Sequence, residues 1–202
     1  MMDYIPEPIE KLARELNKLP GMGIKTATRL AFHIVDMNSD GVNDLSSCIL
    51  DAKKDIRICP LCHGYSVNTG ECGICSDYSR DTKSLCVVQR PQDVFVLERS
   101  GFRGIYHVLH GVISPLDGIG PDDIKIPELI KKVKDLNVEE IIVALNPSVE
   151  GDATTLFIAK SVHDIKVRIS RLARGVPAGA SIDYVDDVTL SRALEERQEV
   201  SC

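Results

Sequence analysis

The chain contains no tryptophan, and its aromatic side chains are limited to four Phe and five Tyr. Successive bases of a single nucleic-acid strand stack on aromatic platforms, so this scarcity argues against a base-stacking groove. Positive charge is short too: 24 Lys and Arg face 30 Asp and Glu, for a net charge of −6. Affinity for nucleic acid comes largely from cations that displace counterions. Any such contact must therefore be concentrated in a local basic patch, which leaves acidic surface for a second role. No apolar run is long enough to span a bilayer, and no charged-then-apolar leader opens the chain. A soluble, intracellular protein without a membrane segment is the expectation. No Gly-x-x-x-x-Gly-Lys-[Ser/Thr] loop occurs, so ATP hydrolysis is not expected. A chain of 202 residues has room for one sizeable core or several small ones.

What is present begins with Leu19-Pro20-Gly21-Met22-Gly23, set between two amphipathic patterns. Ile9, Leu12, Ala13 and Leu16 recur on one helical face upstream; Ala27, Leu30, Ala31 and Ile34 do so downstream. Gly21 and Gly23 make a tight hairpin where the second helix begins, leaving its first N–H groups open to an approaching anion. Lys25 and Arg29, four residues apart, project from the face opposite the apolar one, so both reach the same ligand. The arrangement resembles the helix-hairpin-helix element of DNA-repair proteins, which grips DNA through its phosphates; a plain helical hairpin with a glycine turn is the alternative. A rival basic cluster, Lys166, Arg168, Arg171 and Arg174, also reads as a solvated face or an intersubunit contact.

Four of the seven cysteines form two C-x-x-C pairs, Cys59/Cys62 and Cys72/Cys75. Such knuckles direct four thiolates at one tetrahedral Zn²⁺ and leave no open coordination position, so the metal is expected to be structural. Asn68-Thr69-Gly70 suits the connecting turn. A disulfide framework and an iron–sulfur cluster are the alternatives. Cys48 and Cys86 read as buried apolar residues and Cys202 as exposed. His63 reads as a bystander to the metal or the donor of a supporting hydrogen bond. His107 and His110 fall in an apolar segment and read as core or strand-edge residues.

From about Leu85 the pattern alternates strand and helix. Cys86–Val88, Val94–Leu97, Tyr106–Leu109, Glu140–Leu145 and Lys166–Ile169 read as strands; 127–136 and 152–163 read as helices. Strands separated by helices predict an open, mostly parallel sheet, with the functional crevice at the carboxyl ends of the strands. Glu98, and Glu150 with Asp152, are placed at such ends. The two segments resemble the signatures of the Toprim domain of topoisomerases, primases and related nucleases. That resemblance implies acid–base work for a strand-end Glu and Mg²⁺ binding by an Asp-x-Asp followed by Glu-Gly. Pro147, Glu150 and Gly151 match the second signature, but Asn146 and Ser148 stand where the aspartates belong. Neutral groups cannot offset the dehydration of Mg²⁺, so at most a weakly held Mg²⁺ is expected, and no catalysis.

The order of the pieces is the most specific feature. A Leu-Pro-Gly-x-Gly hairpin and a four-cysteine module precede the sheet, which carries Ser114-Pro115-Leu116-Asp117-Gly118-Ile119-Gly120-Pro121. Leu145–Gly151, Arg171-Leu172-Ala173-Arg174-Gly175-Val176-Pro177 and Asp183–Leu190 follow. Across nearly the whole chain this resembles the RecR family of bacterial recombination mediators. The resemblance implies a non-enzymatic role in DNA repair and recombination after DNA damage, with RecO and RecF as partners in loading recombinase onto gapped or single-stranded DNA. It further implies binding of double- and single-stranded DNA and a ring-like homotetramer with the hairpins facing the hole. Ile182–Asp187 matches the family's Walker-B-like run; an acidic strand-to-helix turn is the alternative. The fold class expected is multidomain α + α/β. It comprises a helix-hairpin-helix domain (1–56), a C4 zinc finger (57–80), a Toprim-like domain with an open parallel sheet and flanking helices (81–175) and a strand-helix tail (176–202). A Mg²⁺-dependent enzyme of topoisomerase, primase or nuclease type is the alternative function, supported by Glu98, Glu150 and the order of the sheet.

Overall fold

A computed structural model describes residues 4–67 and 69–197; Asn68 of the connecting turn and Cys202 lie outside them. The chain divides into two compact units that part between Ile56 and Arg57. No helix among the described residues is long and apolar enough to cross a membrane.

The first unit is helical. Helix α1 (Glu7–Asn17) starts at Pro6, and α2 (Ile24–Asp36) packs on it. The faces that meet are those the periodicity predicts: Ala13, Ala27 and Ala31 are buried, while Ile9, Leu12, Leu16, Leu30 and Ile34 are half-buried. Small residues at the centre let the two backbones approach closely. Helix α3 (Ser39–Asp55) is capped by Asn38, whose Oδ1 accepts from the Gly41 N–H at 2.8 Å. It buries none of its residues. Cys48, expected to be buried, is therefore exposed.

Strand β1 (Ile56–Ile58) begins at the boundary and pairs with β2 (Tyr65–Val67) as a two-stranded ribbon. The main sheet contains β3 (Asp81–Val88), β4 (Gly104–Val108), β5 (Glu140–Ala144) and β6 (Arg168–Arg171), in the order β4-β3-β5-β6 with every pairing parallel. Side chains alternate across a strand, and β3 divides its residues accordingly. Leu85 and Val87 join Ile141 and Val143 in one core, beneath α5 (Ile126–Asp135) and α6 (Val149–Ser161). Cys86 and Val88 join Tyr106, Val108 and three of the knuckle cysteines in a second core on the other face. The cysteine module thus forms part of the sheet's second layer.

Two segments depart from the sequence reading. Val94–Leu97 belongs to a helix, α4 (Pro91–Glu98), not to a strand. Pro91 occupies the first turn, where its fixed φ suits a helix and its missing N–H costs nothing. The Asp93 carboxylate accepts the Arg90 N–H at 2.9 Å, closing the helix start. Tertiary context overrides the β-branched propensity: only Val94 of this run is buried, while Phe95 and Val96 are exposed. In the tail, the expected strand is a single 3-10 turn at Ile182–Tyr184, followed by α7 (Asp187–Glu195) with Asp186 as its cap.

Candidate functional site

The hairpin between α1 and α2 is closed by the Met22 N–H donating to the Leu19 carbonyl at 3.1 Å. Gly21 has φ of +78°, in the left-handed region that side chains disfavour, and a Cβ at Gly21 or Gly23 would meet nothing within 4 Å. The backbone is therefore open to solvent here. Gly23 is the N-cap of α2, with no side chain capping the helix. The first intrahelical bond runs from the Ala27 N–H to the Gly23 carbonyl, so the preceding amides carry the positive end of the helix dipole outward. Lys25 and Arg29 are exposed on this helix, away from buried Ala27 and Ala31. In α1 and at its C-terminal cap, Lys11, Arg14 and Lys18 each pair with a glutamate. Among the described residues, Lys25 and Arg29 form no ion pair. The unit thus presents uncompensated positive charge at one helix start.

Cys59, Cys62, Cys72 and Cys75 converge, with all four sulfurs within 4.8 Å of one another and Cys62 Sγ 3.6 Å from Cys72 Sγ. A tetrahedron with Zn–S bonds of about 2.3 Å requires sulfurs roughly 3.8 Å apart, so the cluster fits zinc. The Gly64 N–H donates to Cys62 Sγ at 3.3 Å and the Cys72 N–H to Cys59 Sγ at 3.4 Å. The Cys72 sulfur and burial push the Cys62 thiol up to about 12. The Cys62 thiol therefore ionises only where a cation offsets its charge, and a divalent metal supplies that charge. The knuckle is tied to the sheet by Val108, whose N–H donates to the Cys62 carbonyl at 2.8 Å. Lys132 of α5 adds Nζ bonds of 2.9 Å to the carbonyls of Leu61 and Tyr106. His63 packs edge-on against His107. His107 is fully buried, with Nε2 2.6 Å from the Lys125 carbonyl oxygen, and desolvation pushes its pKa down to about 3. It is a neutral core residue, as its apolar segment predicts.

At the carboxyl ends of the strands, Gln89 follows β3 and Asn146 lies just beyond β5. Asn146 Nδ2 donates to Gln89 Oε1 at 3.2 Å. Ser148 caps α6 by accepting the Gly151 N–H at 3.1 Å. A Cβ on Gly151 would fall 2.1 Å from the Asn146 carbonyl oxygen, so this close approach requires glycine. Glu150 and Asp152 lie in the first turn of α6. Both Asp152 oxygens are held by Arg174, which keeps that carboxyl below the usual carboxylate range.

Glu98 is elsewhere. Because α4 runs back from the end of β3, its last residue sits at the amino ends of the strands. There Arg80 bonds both Glu98 oxygens and also the carbonyl of Gly104, the first residue of β4. The placement of Glu98 at the carboxyl end of a strand is therefore corrected. The Arg80 guanidinium holds the Glu98 carboxyl below its ordinary range. The strand-end position belongs to Gln89, which the sequence reading passed over. Its position directly after the buried run Cys86–Val88 is the signal that marks it.

Comparison with known families matches residues 9–53 to the helix-hairpin-helix of RecR, residues 83–173 to the Toprim domain and residues 175–198 to the RecR C-terminal region. The matches follow one another in the order of the hairpin, the sheet and the terminal helix, with the four-cysteine cluster between the first two. The chain belongs to the RecR family, which implies a role in recombinational repair.

Proposed function

We propose that this chain is a non-enzymatic DNA-binding mediator, or clamp, that works with RecO and RecF to promote recombinase loading on gapped or single-stranded DNA in the cytoplasm. The observation that carries the reading is the uncapped start of α2. Free amides, Lys25 and Arg29 converge there on a surface without Cβ obstruction. Phosphate is recognised through such donors irrespective of base sequence. A single hairpin offers few contacts, so a ring-like tetramer raises affinity by presenting several to one DNA. Exposed Leu45, Ile49 and Leu50 on α3, and Val188 and Leu194 on α7, supply apolar surface suited to such assembly. The four cysteines hold one structural Zn²⁺ per chain. Glu150 and Asp152 supply acidic surface for a protein partner.

The strand-end crevice supports a mediator over a Mg²⁺-dependent enzyme. Its two facing side chains, Gln89 and Asn146, are neutral amides, and Asp152 is occupied by Arg174. Hard cations require anionic oxygens. Labelled duplex, gapped and single-stranded DNA, incubated with purified protein with and without Mg²⁺, tests the reading. Retention of DNA without nicking, joining or synthesis is expected; Mg²⁺-dependent strand cleavage would overturn it. Removing the charge of Glu150 should weaken partner engagement and spare DNA binding, and the reverse pattern would refute the division of roles.

A further inference from the structure

The four sulfurs of the metal site are not equivalent. Cys59, Cys62 and Cys72 are buried, at 0%, 1% and 6% exposure, whereas Cys75 is only half-buried. Cys75 also lines an open cavity of about 510 Å³ between the knuckle residues Pro60 and Leu61 and helix α5. Cys62 and Cys72 border a smaller cavity of about 210 Å³ under Tyr65 and Phe95, but both remain buried. Two of the buried sulfurs also accept amide donors, Cys59 from the Cys72 N–H and Cys62 from the Gly64 N–H. Among the described residues no amide reaches Cys75 Sγ. An N–H donor withdraws charge from a thiolate and lowers its nucleophilicity, while access decides which thiolate meets a reagent.

We propose that Cys75 is the reactive thiolate of this metal site, the first to be oxidised by hydrogen peroxide entering through the larger cavity, and that its oxidation opens the knuckle and releases the metal. The proposal rests on zinc occupying the four cysteines. The Cys75 thiolate displaces hydroxide from the peroxide: an S–O bond forms, the O–O bond breaks, sulfur is oxidised and the peroxide oxygen is reduced. A neighbouring thiolate within 4.8 Å then attacks the sulfenic sulfur, forming S–S and expelling a second hydroxide. In sum, two thiolates and one hydrogen peroxide yield one disulfide and two hydroxide ions, and the metal loses two of its four ligands. Because the cysteines share a core with Cys86, Val88, Tyr106 and Val108, that loss loosens one face of the sheet. The site thus acts as an oxidant-triggered release.

The test uses zinc-loaded full-length protein treated with graded hydrogen peroxide. Metal release is followed with a chromogenic chelator, and sulfenic acids are trapped with dimedone and mapped by mass spectrometry. Among the four ligands, the adduct is expected first at Cys75, with one zinc released per chain in step with its oxidation. Leu136→Trp and, separately, Thr82→Trp narrow the rim of the larger cavity and should slow release severalfold at unchanged zinc content and thermal midpoint. Adducts appearing first at Cys59, Cys62 or Cys72, or release unslowed in both folded rim variants, would overturn the proposal. Protein purified without one metal per chain would overturn the zinc reading and this proposal with it. Zinc-loaded protein oxidised first elsewhere overturns the proposal alone.

Discussion

Asn146 donates to Gln89 across 3.2 Å, joining the residues that follow two neighbouring parallel strands. Each amide uses the other as its partner at the place where a sheet of this type gathers ligands. A carboxylate at both positions would bring two like charges together, a pairing that only a cation or a shared proton relieves.

Magnesium should therefore leave the thermal midpoint of the native protein unchanged at millimolar concentration. Gln89→Glu/Asn146→Asp should lose stability in the absence of metal and recover it on adding Mg²⁺, because the new carboxylates provide the hard oxygens the ion requires. Scanning calorimetry with and without Mg²⁺ reads both effects. A metal-dependent shift in the native chain would contradict the neutral-crevice assignment.

The hairpin makes a salt-dependent prediction. Lys25→Ala/Arg29→Ala should weaken DNA binding and flatten the plot of log affinity against log salt by about one contact per removed cation per hairpin. Folding should survive, since both side chains are exposed and unpaired among the described residues. Arg171→Ala/Arg174→Ala is the control: Arg174 already holds Asp152, and Arg171 pairs with Glu196. Titrations across a salt series, with oligomer size checked for each variant, separate the two clusters. An unchanged slope in the hairpin variant would remove the central claim.

Metal removal should act on stability and assembly, not on chemistry. Cys72→Ser leaves an incomplete tetrahedron inside the second core, and loss of a structural metal falls at the severe end of single substitutions, about 4 kcal/mol or more. Metal analysis together with chemical denaturation checks this. Full metal content and native stability in the variant would show that Cys72 is not a ligand.

Glu98 and Arg80 provide a pH-dependent contribution remote from the hairpin. The carboxyl is held below its unfolded value by Arg80. The pair therefore contributes fully above the unfolded pKa, and its contribution is lost as pH falls through the folded value. Glu98→Gln should cost about 2 kcal/mol by leaving a nearly buried guanidinium with only the more distant Asp77 carboxylate, 3.6 Å from its Nε, among the described residues. It should also flatten the acid limb of the stability–pH profile and leave DNA affinity unchanged. A loss of DNA binding in a folded Glu98→Gln protein would return Glu98 to the functional surface.

Local chemistry was enough to specify much of this protein. The two C-x-x-C pairs, the glycine hairpin with its flanking helical periods, and the strand–helix alternation outside Val94–Leu97 are short-range patterns, and each appears in the structure where the sequence places it. Long-range geometry decided the rest. Val94–Leu97 carries strand propensity, but Pro91, Asp93 and burial of Val94 alone make it a helix, and that helix carries Glu98 to the opposite end of the sheet. Sequence separation does not show that Arg80 meets Glu98, that Arg174 meets Asp152, or that Asn146 meets Gln89. Each pair is brought together by the parallel stacking of distant segments. The exposure of Cys75 beside three buried ligands is likewise tertiary, because identical C-x-x-C spacing presents the same thiols to different neighbours only after the knuckle packs on the sheet.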